Sequence, residues 1–317
     1  MQIQSTSGRT PSRGVLSASI ALLIAVWAVN FIAAKIGLKY LAPLALGSFR
    51  VLVAGMVMIP VYFFCSRLPA FSEAGEARRR GLSGGDFWIF LYLGFFGVVV
   101  NQICFTVALR YTMVSHAAVI VGMGPIYILF LAVLFRLESA TWRKATGMMI
   151  ALLGIAILAS ENRISTYAGS LEGDAIAMTG SIGFAMYVVL GKRVAGKYDT
   201  LTMTAFNHFA GALIVLPVAF YEAKTMAKAG SFVHLPWQAW AALFYMAVFS
   251  SALAYVFYFW LLRFLEASQL SAFTYLLPVL ATILGILWLG EKGSWGQVIG
   301  GVLALGGVYW IEAGRGQ

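Results

Sequence analysis

The chain has 317 residues, 61% of them hydrophobic and 11% charged, with a formal net charge of +10. Soluble domains carry about a quarter charged residues, so this composition excludes a water-soluble globular fold and requires an apolar solvent. The Lys and Arg residues sit in the short connections between apolar runs. Cytoplasmic loops place them there, which argues for a lipid bilayer and against nucleic acid as the partner.

In chain order, the apolar runs fall near 15–37, 43–65, 87–109, 113–135, 143–160, 173–193, 201–221, 237–261, 268–289 and 295–312. A hydrocarbon core about 30 Å thick takes roughly 20 residues per helix. The runs lack the alternation of barrel strands, and in lipid only helices and closed barrels satisfy every backbone group. The predicted fold class is therefore an all-α integral membrane protein with ten transmembrane helices. Before the first run, Met1 to Gly14 is polar with Arg9 and Arg13, and the run that follows is too long for the core of a cleavable signal peptide. Placing the N-terminus in the cytoplasm puts fourteen Lys and Arg residues on the inside and seven outside, with Arg50 within a span. Both termini are predicted to be cytoplasmic. The longest connection, Ser66 to Gly85, is rich in Gly and reads as a flexible loop, and 161–172 reads as the seam between two halves. Cys65 and Cys104 lie in or at the ends of apolar runs without CxxC spacing, so packing is expected of them rather than redox or metal chemistry. No cofactor or metal is predicted.

The halves repeat. Residues 109–157 lie over 262–310 at a constant offset of 153, without a gap. Arg110 meets Arg263, Pro125 meets Pro278, Glu138 meets Glu291, Trp142 meets Trp295, Gly147 meets Gly300 and Gly154 meets Gly307. The first parts match more loosely. Trp27 to Lys35 has the spacing of Phe184 to Lys192, and Arg50 falls near His208. Each unit has five spans, an odd number, so the second must enter the membrane from the opposite side. Inverted repeats of this kind meet on a pseudo-two-fold axis in the membrane plane, and exchanging their asymmetries opens the centre to each side in turn.

The segment Pro278 to Glu291 followed by Gly300 to Val308 resembles the end of an EamA repeat, and Pro125 to Glu138 followed by Gly147 to Gly154 is the first copy. EamA proteins belong to the drug/metabolite transporter superfamily, and the resemblance spans about 15–314, as units 15–160 and 171–314. It implies ten helices in two inverted five-helix repeats, cytoplasmic termini, and a central cavity between the halves. It also implies export of amino acids or related metabolites across a bacterial inner (plasma) membrane. The first copy departs from the pattern, with Arg136-Leu137-Glu138 where Leu-Gly-Glu is expected.

Charged groups at mid-membrane depth are expensive and mark function. All twelve acidic residues fall in loops, tails or span ends, which argues against obligate proton coupling through a buried carboxylate. Arg50, about seven residues into the second span, is the sharpest candidate. Its guanidinium could fork onto a substrate carboxylate, or alternatively cap helix carbonyls or snorkel to the surface. His208, beside Asn207, could titrate or tie helices together, and His116 is a weaker candidate of the same kind. Asn30, Asn101 and Gln102 are amides that either touch a ligand or join helices. An aromatic set, Trp27, Tyr187, Tyr255, Tyr258 and Tyr275, suits the wall of a site for a partly apolar solute, or plain packing. Tyr255 and Tyr258 share a face, which Ser251 joins one turn earlier. Pro125 and Pro278 each remove an N–H at matching positions and are candidate gating hinges. Lys35 and Lys192 are expected to snorkel, and Glu138 and Glu291 to fix loops at helix ends. Spans five and ten are expected to be glycine-packed structural helices. The alternatives are a transporter of drugs, nucleobases or organic anions and, more remotely, an intramembrane enzyme. For the enzyme the chain offers no HExxH and only three His. Oligomeric state is not readable from the chain.

Overall fold

The computed structural model describes residues 11–68, 84–111, 120–160, 171–194, 197–228, 230, 234–277, 279–280, 283 and 295–313. The elements are α1 (Arg13–Gly37), α2 (Pro43–Cys65), α3 (Gly84–Tyr111), α4 (Ile120–Leu134), α5 (Trp142–Ser160), α6 (Leu171–Val194), α7 (Thr200–Lys228), α8 (Trp237–Leu262), α9 (Ala267–Ala272) and α10 (Trp295–Glu312). A 3-10 turn, Phe273–Tyr275, continues α9. Six of these helices, α1, α2, α3, α6, α7 and α8, are long and apolar enough to cross a membrane. All six begin and end within a few residues of the predicted spans, except that α7 runs on to Lys228, a cation in the last turn where a helix C-terminus favours one. Pro278, His116 and Glu291 lie outside the described residues.

The helices turn apolar side chains outward. Phe64 and Phe130 are each 66% exposed. A surface of this kind has no place in water and suits contact with lipid chains. Trp142 and Trp295, 153 positions apart, each open a helix and are each 83% exposed, the position of an interfacial aromatic anchor.

Helices α5 and α10 pack backbone to backbone through the predicted glycines. A Cβ on Gly307 would lie 2.5 Å from the Gly147 carbonyl oxygen and 2.6 Å from Ala151 N. One on Gly154 would lie 2.6 Å from the Gly300 oxygen and 2.5 Å from Ala304 N. Gly147 corresponds to Gly300 and Gly154 to Gly307, so the two contacts exchange when the halves exchange. Backbone cannot yield as a flexible side chain does. Gly307→Ala is therefore expected to destabilise the protein by about 1–3 kcal/mol, lowering the melting temperature in detergent by several degrees. The neighbouring Gly306 faces open space, and Gly306→Ala is expected to leave the melt unchanged or raise it slightly.

The offset of 153 extends further back than the sequence repeat indicates. Helix α3 contains a π-helical segment, Gly94–Val100, and α8 contains one at Tyr245–Leu253. Adding 153 to the first gives 247–253, inside the second. Tyr92 stacks near Phe96, with ring centroids 4.5 Å apart, and their counterparts Tyr245 and Phe249 do the same at 5.4 Å. The π geometry leaves carbonyls short of a backbone partner, and such groups are taken up by side chains.

At the end of α4, Arg136 takes the left-handed conformation (φ 56°). Its N–H bonds to Val133 O (2.9 Å) and that of Leu137 to Ala132 O (2.8 Å), the paired bonds of a Schellman stop. The departure from the family pattern leaves the helix end well formed, and it aims Glu138 at α9.

Candidate functional site

A cavity of about 120 Å³ lies among α1, α2, α3, α4, α6, α8 and the α9 segment. Its walls come from the later parts of α1, α3 and α8 and the earlier parts of α2, α4 and α6. Trp27, Asn30 and Phe31 present one face of α1, at spacings of three and four. Arg50 enters from α2, Asn101, Gln102 and Phe105 from α3, Pro125 and Ile128 from α4, Ser181 and Phe184 from α6, and Tyr255 from α8.

Arg50 is 4% exposed and reaches the cavity wall. Its Nε donates to Ser251 Oγ at 2.8 Å. Ser251 Oγ in turn sits 2.9 Å from Gln102 Oε1 and 2.8 Å from Met246 O, a carbonyl within the π segment of α8. The one hydroxyl proton thus serves oxygens on two helices, and the guanidinium is held at its inner nitrogen. Among the described residues Arg50 has no acidic partner and no carboxylate lines the cavity. The snorkelling and carbonyl-capping roles are not seen.

Tyr255 joins the halves. Its hydroxyl lies 3.2 Å from Gly97 O, in the π segment of α3, and 3.2 Å from Asn101 Oδ1. Asn101 Nδ2 donates to Gly180 O at 3.2 Å. Trp27 Nε1 donates to Ser250 O at 3.2 Å, again a π-segment carbonyl. Both π segments therefore offer carbonyls that position cavity side chains.

The predicted site residues divide into three groups. Arg50, Asn30, Trp27, Asn101, Tyr255 and Pro125 line the cavity. His208, Tyr187 and Tyr258 do not. They pack behind it, with the His208 ring 5.1 Å from Tyr255, Tyr187 5.6 Å from Tyr255, and Tyr258 5.5 Å from Trp27. Tyr255 and Tyr258 share a helix face, yet Trp27 lies between Tyr258 and the opening. Tyr275 belongs to a separate cluster with Met148, Ile155 and Ala304, because the 3-10 turn rotates it towards α5 and α10. Pro125 stands in the first turn after a break in α4 at Met123. Thr274, which the sequence places beside Tyr275, lines the cavity, as do Ser181 and Ser271, which were not singled out as site residues. Short hydroxyl side chains in apolar helices give little sequence signal, since they bond to their own backbone as readily as to a ligand.

Away from the cavity, a polar clamp ties the end of α4 and the start of α5 to the start of α9. The buried carboxylate of Glu138 accepts from Ala267 N (2.7 Å) and Ser268 N (3.3 Å), and from the Ser268 hydroxyl. It thereby satisfies the free N–H groups at the start of α9. Lys144 bridges Glu138 (3.1 Å) and Glu266 (2.6 Å). Lys192, expected to snorkel, instead donates to Leu262 O and to Leu265 O (2.7 Å), capping the end of α8. Lys197 pairs with Asp86 at 2.6 Å, which holds the Lys197 ammonium above its ordinary pKa.

Long apolar helices around a cavity lined, among the described residues, by the cation of Arg50 and by aromatic side chains fit a membrane transporter. The model of the EamA-like transporter family matches residues 13–160 and 171–313, and the chain belongs to that family. An uncharacterized transporter from Archaeoglobus fulgidus is 26% identical over 94% of this chain and 97% of its own length. A probable terminal-alkyne amino-acid exporter from Streptantibioticus cattleyicolor is 22% identical, over 93% and 92%. A solved crystal structure superposes with a TM-score of 0.68 at 18% identity, covering 94% of this chain and 96% of that one, and shares the fold.

Proposed function

We propose that this transporter exports amino acids or related small metabolites by alternating access, as a facilitated rather than obligately proton-coupled carrier. The observation that carries the reading is Arg50, a buried guanidinium held at Nε by Ser251 and presented to a cavity without an acid among its described walls. A guanidinium in that setting is matched by a carboxylate, which it can bind through two parallel bonds. The similarity to a probable amino-acid exporter points the same way. The aromatic walls favour a second reading, an exporter of drugs, nucleobases or organic anions.

The exchange of glycine contacts between α5 and α10, and the π segments at matching positions, support ten helices arranged as inverted five-helix units, 15–160 and 171–314. With cytoplasmic termini in a bacterial inner membrane, the cavity faces the periplasm and the Glu138 clamp closes the cytoplasmic side. Arg50, Asn30, Trp27, Asn101 and Tyr255 then contact substrate, with His208, Tyr187 and Tyr258 supporting them from behind. Tyr275 does so only if α9 turns. Pro125 and Pro278 act as the hinges.

The test is efflux from proteoliposomes loaded with a panel of radiolabelled amino acids, with and without an imposed pH gradient. Release of particular amino acids at a rate indifferent to the gradient is the expected result. Gradient-dependent release would overturn the facilitated mechanism. Release of none, with passage of organic anions or nucleobases, would favour the second reading.

A further inference from the structure

The amino-acid reading above, on which this inference rests, gives Arg50 the substrate carboxylate and leaves the ammonium to be accounted for. An ammonium brings three N–H donors and needs acceptors. No carboxylate among the described residues lines the cavity to supply them. Asn30 does line it, is 6% exposed, and its Oδ1 has no hydrogen-bond partner among the described residues. A buried amide oxygen left unpaired is costly, so an occupant that donates to it is favoured. Trp27 and Phe31 flank Asn30 on the same wall, and aromatic faces attract a cation placed against them.

We propose that Asn30 Oδ1, with the faces of Trp27 and Phe31, is the ammonium subsite, so that the cavity selects amino acids with uncharged, apolar side chains. The charges enforce the selection. Arg50 is already engaged by the substrate carboxylate and neutral groups meet the ammonium, so a charged side chain of either sign would enter an apolar setting with no partner of its own. The side chain is then received by apolar wall such as Val121 and Ile128.

The experiment compares binding of L-leucine with 4-methylpentanoate, the same molecule without its amino group, to the purified full chain in detergent. Unmodified protein is expected to bind leucine at least tenfold more tightly. Asn30→Ala is expected to lower leucine affinity about tenfold while leaving 4-methylpentanoate unchanged, and L-lysine is expected to bind weakly to both. A monodisperse elution profile and an unaltered melt establish that the variant is folded, and Asn30→Asp provides a second probe that restores an acceptor. Equal binding of the two ligands by unmodified protein would overturn the subsite while leaving the carboxylate reading intact. Equal loss of both ligands in Asn30→Ala would mark a structural role and overturn it as well. Binding of neither ligand to unmodified protein would overturn the amino-acid reading, and the subsite with it.

Discussion

Replacing Arg50 with Ala is expected to weaken carboxylate substrates by about 2–5 kcal/mol, a factor of roughly thirty to several thousand in affinity. The magnitude follows from burial. The guanidinium is 4% exposed, so its bonds to a substrate carboxylate do not compete with bulk water. The effect should be selective, because Ser251 and Gln102 can still bond to each other when Arg50 is gone. Leucinol, which lacks the carboxylate, should bind the Arg50→Ala variant as it binds the unmodified protein. Arg50→Lys keeps the charge but loses the fork and the Nε bond to Ser251, and an intermediate loss of about tenfold is expected. Equilibrium binding in detergent reads both variants. An Arg50→Ala protein with unchanged leucine affinity would remove Arg50 from the site.

Glu138→Ala should have the second large effect, on the balance between conformations. The carboxylate accepts two backbone N–H groups and a hydroxyl from α9, which lose their partner together, while Lys144 keeps Glu266. Each hydrogen bond to a charged acceptor contributes about 1.5–3 kcal/mol. In the proposed alternating-access cycle the clamp belongs to the form closed at this end, so the cost falls on that form. A shift of about 3 kcal/mol changes the ratio of two states more than a hundredfold. Hydrogen exchange of the Ala267 and Ser268 amides should accelerate accordingly. A cysteine placed at the buried Leu265 should become reactive to a thiol reagent applied from the clamp side. Glu138→Gln keeps an acceptor and loses the charge, and its effect should be smaller. Unchanged protection in a folded Glu138→Ala protein would show that something else holds this end shut.

The residues themselves show which parts of this molecule are legible in its sequence. Six long helices are plain because a bilayer needs about twenty apolar residues and little else produces them. The α5–α10 contact is legible because only glycine permits backbones to meet, and Gly147, Gly154, Gly300 and Gly307 recur at a fixed offset. Arg50 stands out as a cation inside an apolar run. Its partner does not, since Ser251 lies 201 residues away and nothing local marks it as a neighbour. Lys192 was expected to snorkel because a lysine near a helix end has water within reach. The open carbonyls of α8, brought close by tertiary packing, proved the nearer partner. Tyr275 neighbours the cavity-lining Thr274 in the chain, yet at the 3-10 turn it packs against Met148, Ile155 and Ala304 instead.

The two π segments have a consequence for how the cavity tolerates change. An α-helix advances about 100° per residue, so a single extra residue in a turn sets the azimuth of everything after it. Asn101 and Gln102 directly follow the segment in α3, and Ala254 and Tyr255 the one in α8. These residues point where they do because of a count of residues upstream rather than their own identities. Deleting one residue from 94–100 would preserve every side chain of the site and yet swing Asn101 and Gln102 off the wall. An insertion of equal size in a loop would leave their aim untouched. Comparing relatives by composition at the site would miss such a change; comparing the spacing from Tyr92 and Tyr245 would reveal it.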